Sequence, residues 1–104
     1  MAVATESAPL QYATVAAGRT GAALSSGGAK GDFLSHVTII PATTSPGVVT
    51  LIDGATSIAL FAGGATSVTS LLPHTVQVGA NSKNGPWTIT TGSNVSIIAY
   101  GRFG

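Results

Sequence analysis

The chain has 104 residues, of which 44% are hydrophobic and only 7% are charged, and its formal net charge is +1. This length suits one domain. The apolar content excludes a disordered chain, and the charged fraction lies far below the roughly 25% of an average soluble domain.

Several classes of function are excluded by what the composition lacks. Four scattered basic residues cannot neutralise a run of phosphates, so we expect no nucleic-acid binding. The chain has no cysteine, which excludes disulfides and thiolate metal sites. Glycines, prolines and hydroxyl side chains interrupt the uncharged stretches, so we expect no transmembrane helix. The N terminus lacks the basic and apolar regions of a signal peptide, and we expect a soluble protein used without secretion.

The first third of the chain differs from the rest because small residues dominate residues 1–31. Gln11–Ala16 could form one strand with Tyr12 as its only large side chain, and Ser25–Gly31 is typical of a flexible linker. Two interpretations stay open. Residues 1–31 are either an extended arm that orders against a partner, or a first strand of the main sheet followed by a loop. As an arm they would contact the partner through Gln11, Tyr12 and Thr14.

A period-2 alternation of polarity begins at residue 32 and continues to the end of the chain, which predicts a β-sandwich domain over residues 32–104. Turn signals such as Pro46-Gly47 and Asp53-Gly54 separate the alternating segments. The predicted strands are Phe33–Ile40, Val48–Asp53, Thr56–Phe61, Thr66–Leu72, His74–Val78, Trp87–Thr91 and Val95–Phe103.

A short repeat lies inside this region. Gly54–Ser57 recurs as Gly64–Ser67, and each copy leads into an apolar β-branched residue, Ile58 or Val68. Two copies do not make a solenoid. The repeat predicts two successive turn-then-strand units, with Val68 and Leu72 of the second unit facing inward.

The fold class follows from the spacing of these strands. Short strands recur about every 8 to 12 residues with turn signals between them and no helical period, which predicts an all-β antiparallel sandwich. Seven strands, with an eighth in the N-terminal arm, fit a jelly-roll-like arrangement. The alternative is an immunoglobulin-like sandwich without its cysteine pair.

The residues that could carry chemistry are few. His36 and His74 are the only histidines, and Glu6, Asp32 and Asp53 are the only carboxylates. Asp32 and His36 lie four residues apart, which on a strand leaves them too widely separated to clamp a metal. No two carboxylates are near in sequence, and neither a nucleophile elbow nor a phosphate loop is present. We therefore expect no enzyme activity, no metal and no cofactor.

The aromatic residues allow two interpretations. Phe33, Phe61 and Trp87 begin or lie within alternating strands, which favours core positions. Trp87 follows Gly85-Pro86 and could instead be an exposed contact residue, since tryptophan is enriched at binding hot spots. Trp87 therefore joins Gln11, Tyr12 and Thr14 as a candidate interface residue.

Four segments together resemble a known family: Gly31–Pro41, residues 44–49, the Asp53-Gly54 turn and the ending Val95–Phe103. In overall pattern, residues 31–104 are similar to small virion structural proteins of tailed bacteriophages. Short jelly-roll members of that class act as capsid decoration or cement proteins. The resemblance includes no contact motif, so it assigns no binding residue.

The resemblance implies a role on the outer surface of a phage head. There the protein would bind the major capsid protein, bridge its subunits and stabilise the head. Synthesis in the host cytoplasm and a homo-oligomer, a dimer or trimer, are expected with it, and no nucleic acid or membrane would be bound. The alternative is a tail, fibre or head-spike component that binds a receptor or a glycan through an exposed aromatic platform.

Overall fold

The computed structural model describes residues 10–25 and 28–103. These residues form eight strands and no helix, so none of them belongs to a helix that could span a membrane. The strands are β1 (Gln11–Val15), β2 (Ala22–Ala23), β3 (Phe33–Pro41), β4 (Val49–Asp53), β5 (Thr56–Phe61), β6 (His74–Asn81), β7 (Trp87–Thr91) and β8 (Val95–Arg102).

The strands build two four-stranded antiparallel sheets, which confirms the predicted β-sandwich. The first sheet has the order β1-β8-β3-β6, and the second has the order β2-β7-β4-β5. Four of the pairs are nested: β1 with β8, β2 with β7, β3 with β6, and β4 with β5. This order differs from that of the immunoglobulin-like alternative, in which the first, second, fifth and fourth strands form one sheet.

The core lies between the two sheets and is built from alternate residues of the four central strands. Burial alternates residue by residue along β4, β7 and β8, as expected where one face of a strand packs and the other does not. The fully buried valine, leucine and isoleucine residues are Leu34, Val37, Ile39, Val49, Leu51, Ile89, Val95 and Ile97. Trp87 and Phe103 are buried in the same hydrophobic core.

The predicted strand over Thr66–Leu72 is wrong, because the segment between β5 and β6 forms a loop. Thr66 has a φ of 49°, and its backbone N–H donates to Ser45 Oγ rather than to a neighbouring strand. The backbone N–H of Val68 donates to the Thr44 carbonyl. Val68 is buried as predicted, whereas Leu72 is 67% exposed, so the inward position predicted for Leu72 is also wrong.

Strand β6 is longer than the sequence predicted. The predicted strand ends at Val78, but β6 continues to Asn81 and pairs with the start of β3. The pairing contains a register shift between Leu34 and His36. Gly79, with a φ of 60°, lies in the β6 segment opposite this shift, and glycine takes such a conformation without steric cost.

The N-terminal segment joins both sheets. Strand β1 pairs with β8 along all five of its residues, as expected for the alternative in which it is a first strand of the main sheet. Ala22 and Ala23, which the sequence placed in no element, pair with β7. Residues 1–9 of the predicted arm and residues 26–27 of the predicted linker lie outside the described residues.

Candidate functional site on the outer face of the first sheet

The first sheet turns one face to the core and the other face outward. Along β8, Ile97 and Ala99 are buried, while the residues that follow each of them, Ile98 and Tyr100, are only partly buried. The strand register then assigns the outward positions of the neighbouring strands. We define the outer face by ten residues: Tyr12, Thr14, His36, Thr38, Ile40, Thr75, Gln77, Ser96, Ile98 and Tyr100.

An aromatic row crosses this face. Tyr12 lies opposite Tyr100, Tyr100 opposite His36, and His36 opposite Gln77. The rings of His36 and Tyr100 are stacked, with centroids 4.5 Å apart and an angle of 20° between the planes. A hydrogen bond of 3.0 Å between Ser35 Oγ and His36 Nδ1 holds the imidazole in place. The row therefore presents a fixed aromatic pair beside the exposed ring of Tyr12.

A second row beside it carries methyl and hydroxyl groups. Thr14 lies opposite Ile98, Ile98 opposite Thr38, and Thr38 opposite Thr75. The Oγ1 atoms of Thr38 and Thr75 are 3.3 Å apart and share a hydrogen bond. These side chains offer apolar contact together with hydrogen bonds that need little desolvation.

The outer face carries no formal charge, since none of its ten residues is Asp, Glu, Lys or Arg. Arg102, two residues beyond Tyr100, lies on the same side of β8 and is exposed, so one positive charge lies at the end of this face. Tyrosine is enriched and charged residues are depleted at the centres of protein interfaces. In composition the ten residues are therefore similar to the centre of a protein interface.

The four predicted interface residues take different positions. Tyr12 is 70% exposed, and Thr14 is exposed beside it on β1. Gln11 lies one residue away, and its Oε1 accepts a hydrogen bond of 2.6 Å from the backbone N–H of Phe103. Gln11 therefore ties β1 to the end of β8.

Trp87 is not an exposed contact residue, so one of the two interpretations of this tryptophan is wrong. It is only 4% exposed, and its indole Nε1 donates a hydrogen bond of 2.8 Å to the Asp32 carbonyl. The ring packs in the core, as the other interpretation of the sequence favoured. Its burial leaves almost no surface for a partner.

The stacked pair on the outer face consists of two residues that the sequence did not single out for binding. Tyr100 was seen only as part of an apolar final strand, and His36 only as a possible metal ligand. The alternation of polarity within β8 already places Tyr100 on the side of the strand opposite to Ile97 and Ala99. What the sequence lacked was the pairing of β8 with both β1 and β3, which brings the rings together.

The described histidines and carboxylates do not converge. His74 stacks with Phe61 at a centroid distance of 6.0 Å, away from the outer-face ring of His36. Asp32 Oδ2 accepts a hydrogen bond from the Ala29 N–H at 2.9 Å and shapes a local turn. Among the residues that the structure describes, no three His, Cys, Asp or Glu side chains form a metal-binding group. Glu6 lies outside the described residues.

Asp53 is the one buried carboxylate of the described chain, and it fixes a loop. Its Oδ1 atom accepts hydrogen bonds from the backbone N–H groups of Lys83, at 3.1 Å, and Asn84, at 3.0 Å. The hydrogen bond from Asn84 lowers the pKa of Asp53 most, and those from Lys83 and Gly85 act in the same direction, against the opposing effect of burial. The carboxylate therefore holds residues 83–85 against the end of β4.

A shallow cleft of about 350 Å³ lies beside β1, between β1 and β2. Its lining consists of Thr14, Val15, Ala16, Arg19, Ala22 and Ala23. Arg19 is the only titratable side chain in this lining, so the cleft has no acid–base pair.

Comparison of this chain with family models, with curated proteins and with solved structures gives no match.

Proposed function

We propose that the chain is a structural subunit of a phage particle, a decoration or cement protein on the outer surface of the head. It would bind the major capsid protein, bridge neighbouring subunits and stabilise the head. The observation that carries the proposal is the uncharged outer face of the first sheet, with Tyr12 70% exposed at its edge. The resemblance of residues 31–104 to small virion proteins supports the same role.

The physical case rests on the cost of covering this surface. Threonine, serine and tyrosine lose less hydration on burial than lysine or glutamate, and no charge must be paired. The stacked rings of His36 and Tyr100 are already ordered, so little side-chain entropy is lost on contact. A particle displays many equivalent sites, and an oligomer bound to several of them gains avidity, so each contact can be weak.

The test has two steps. The first is to detect the protein in purified phage heads, and the second is to place a charge on the outer face of the first sheet. Purified heads should contain many copies of the chain by quantitative mass spectrometry. Thr38→Lys places a charge on the outer face, whereas Thr50→Lys places one on the outward side of β4 in the second sheet. Both threonines are half-buried on central strands, which makes the two variants a matched pair.

We expect Thr38→Lys to lower the number of copies per head at least tenfold and Thr50→Lys to leave it unchanged. Both variants must first show the same thermal unfolding midpoint. Equal occupancy of both variants would contradict the role of the outer face. Absence of the chain from purified particles would contradict the proposal as a whole.

The second candidate function is a glycan- or receptor-binding module of a tail, fibre or head spike. The aromatic row of Tyr12, Tyr100 and His36 supports it, because sugars stack on exposed rings and hydrogen-bond to hydroxyl groups beside them. In that case Tyr12→Ala should abolish binding on a glycan array while the fold is retained. A wild-type protein that binds no glycan on the array would reject this function.

A further inference from the structure

The two sheets have four edge strands, and they differ in how well their edges are protected. Natural edges are shielded by charges, by proline, by bulges or by short length, because an open edge can pair with another chain. Strand β2 has only two residues. The pairings of β5 with β4 and of β6 with β3 each contain a register shift, between Val49 and Thr50 and between Leu34 and His36.

Strand β1 has none of these protections. Its five residues, Gln-Tyr-Ala-Thr-Val, include no charge, no proline and no glycine. Its register with β8 runs unbroken from Gln11 to Val15. The cleft between β1 and β2 borders the same edge, and no described residue fills it.

We propose that β1 pairs antiparallel with β1 of a second copy about a two-fold axis at Ala13, so that the two first sheets become one eight-stranded sheet. The inference deepens the homo-oligomer part of the proposed function, but it depends only on the edge strand.

The sequence of β1 fits its own copy in this register. Ala13 faces Ala13 on the axis, where a small side chain lets the two backbones approach. Tyr12 of each copy lies opposite Thr14 of the other, and aromatic pairs with β-branched residues are favourable across antiparallel strands. No like charges meet, since β1 has none.

The symmetry also explains why a second copy suits this edge. A two-fold contact uses the same strand from both subunits, so pairing leaves no open β1 edge and growth stops at the dimer. The outer faces of both copies then lie on the same side of one sheet. Two aromatic rows, each with its Tyr12 next to the axis, become neighbouring parts of one uncharged surface.

Single-cysteine variants test the proposal cleanly, because the 104-residue chain has no cysteine of its own. Opposed residues of antiparallel strands have Cα atoms about 4.5 to 5.5 Å apart, within the range that a disulfide spans. Under mild oxidation Ala13→Cys should form a covalent dimer in high yield. Tyr12→Cys and Thr14→Cys should each dimerise poorly alone, and their mixture should give the mixed dimer.

Two exposed positions on the other open edges serve as controls. Thr75→Cys on β6 and Ser57→Cys on β5 should give only the background yield of random collision. In sedimentation velocity the unmodified protein should show concentration-dependent doubling of its mass. Tyr12→Lys, which adds the charge that natural edges carry, should abolish that doubling with the unfolding midpoint unchanged.

An Ala13→Cys yield no higher than that of Thr75→Cys would overturn the proposal, as would a monomer at every concentration. These outcomes are independent of the particle experiment. A β1 dimer of a chain absent from phage heads would reject the capsid role alone. A monomer bound to heads would reject only the dimer.

Discussion

Replacing Trp87 tests whether this residue belongs to the core or to a contact surface. Trp87 is 4% exposed, lies among the core residues and donates a 2.8 Å hydrogen bond to the Asp32 carbonyl. Truncation of a buried tryptophan to alanine costs about 3 to 5 kcal/mol. A domain of this size has a free energy of unfolding of about 5 to 15 kcal/mol, so Trp87→Ala should lose a large part of its stability.

The milder variant Trp87→Phe separates packing from hydrogen bonding. It keeps an aromatic ring in the core and removes the indole donor. The Asp32 carbonyl also accepts a hydrogen bond of 2.9 Å from the Ser82 N–H, so the variant leaves no buried acceptor unpaired. The lost hydrogen bond accounts for about 0.5 to 1.5 kcal/mol, and the smaller ring adds a packing loss. Trp87→Phe should therefore fall between the wild type and Trp87→Ala.

Urea unfolding followed by circular dichroism measures these differences, since the variants lack the single tryptophan needed for fluorescence. Leu72→Ala is the control, because its side chain is 67% exposed and should change the free energy of unfolding by less than about 0.5 kcal/mol. If Trp87→Ala were as stable as Leu72→Ala, the core assignment would be refuted and the contact interpretation restored.

Two further predictions concern a buried carboxylate and a crowded glycine. The pKa of Asp53 is lowered mainly by the hydrogen bond from Asn84, so its contribution to stability is complete above the unfolded-state pKa of about 3.9 and is lost as the pH falls through the lower folded-state value. Asp53→Asn should be less stable than wild type at pH 7 and should lose less stability on acidification. Thermal unfolding of both proteins between pH 7 and pH 2 measures this difference. If the unfolding midpoints of the two proteins fell in parallel with pH, this role of Asp53 would be contradicted. Gly101→Ala should destabilise by about 1 to 3 kcal/mol or prevent folding, because an added Cβ would meet the Phe33 carbonyl oxygen and lie 3.0 Å from Leu34 Cα. A Gly101→Ala protein as stable as wild type in urea would show that β3 and β8 can separate at this point.

The sequence predicted best those strands that lie between clear turn signals. β5 and β7 have the predicted bounds, although burial alternates along β7 and not along β5. The repeat at Gly64–Ser67 misled the prediction, since the same four residues that open a hairpin at Gly54 start a loop ten residues later. The four residues are identical at the two sites, so they cannot by themselves distinguish a hairpin from a loop, and contacts such as the Thr66 hydrogen bond to Ser45 fix the second copy as a loop.

The candidate site could be predicted only in part for a related reason. Tyr12 and Thr14 stood out as the aromatic and polar residues of a weak first strand, and both are exposed in the structure. Their neighbours on the outer face come from β8 and β3, which follow much later in the chain. The alternation of polarity predicts which side of the sheet a residue faces, but it does not predict which strands are neighbours in the sheet.

The nested pairing of the strands has a consequence for the order of events during synthesis. β1 emerges from the ribosome first, yet its only neighbour in the first sheet is β8, which is made after every other described strand. β8 also separates β1 from β3, so β3 and β6 can pair earlier but the first sheet cannot be completed until translation has passed residue 102. Before that point the uncharged β1 segment has no strand of the described sheets to pair with, and a delay in elongation before residue 102 would prolong the period in which it can pair with the wrong molecule.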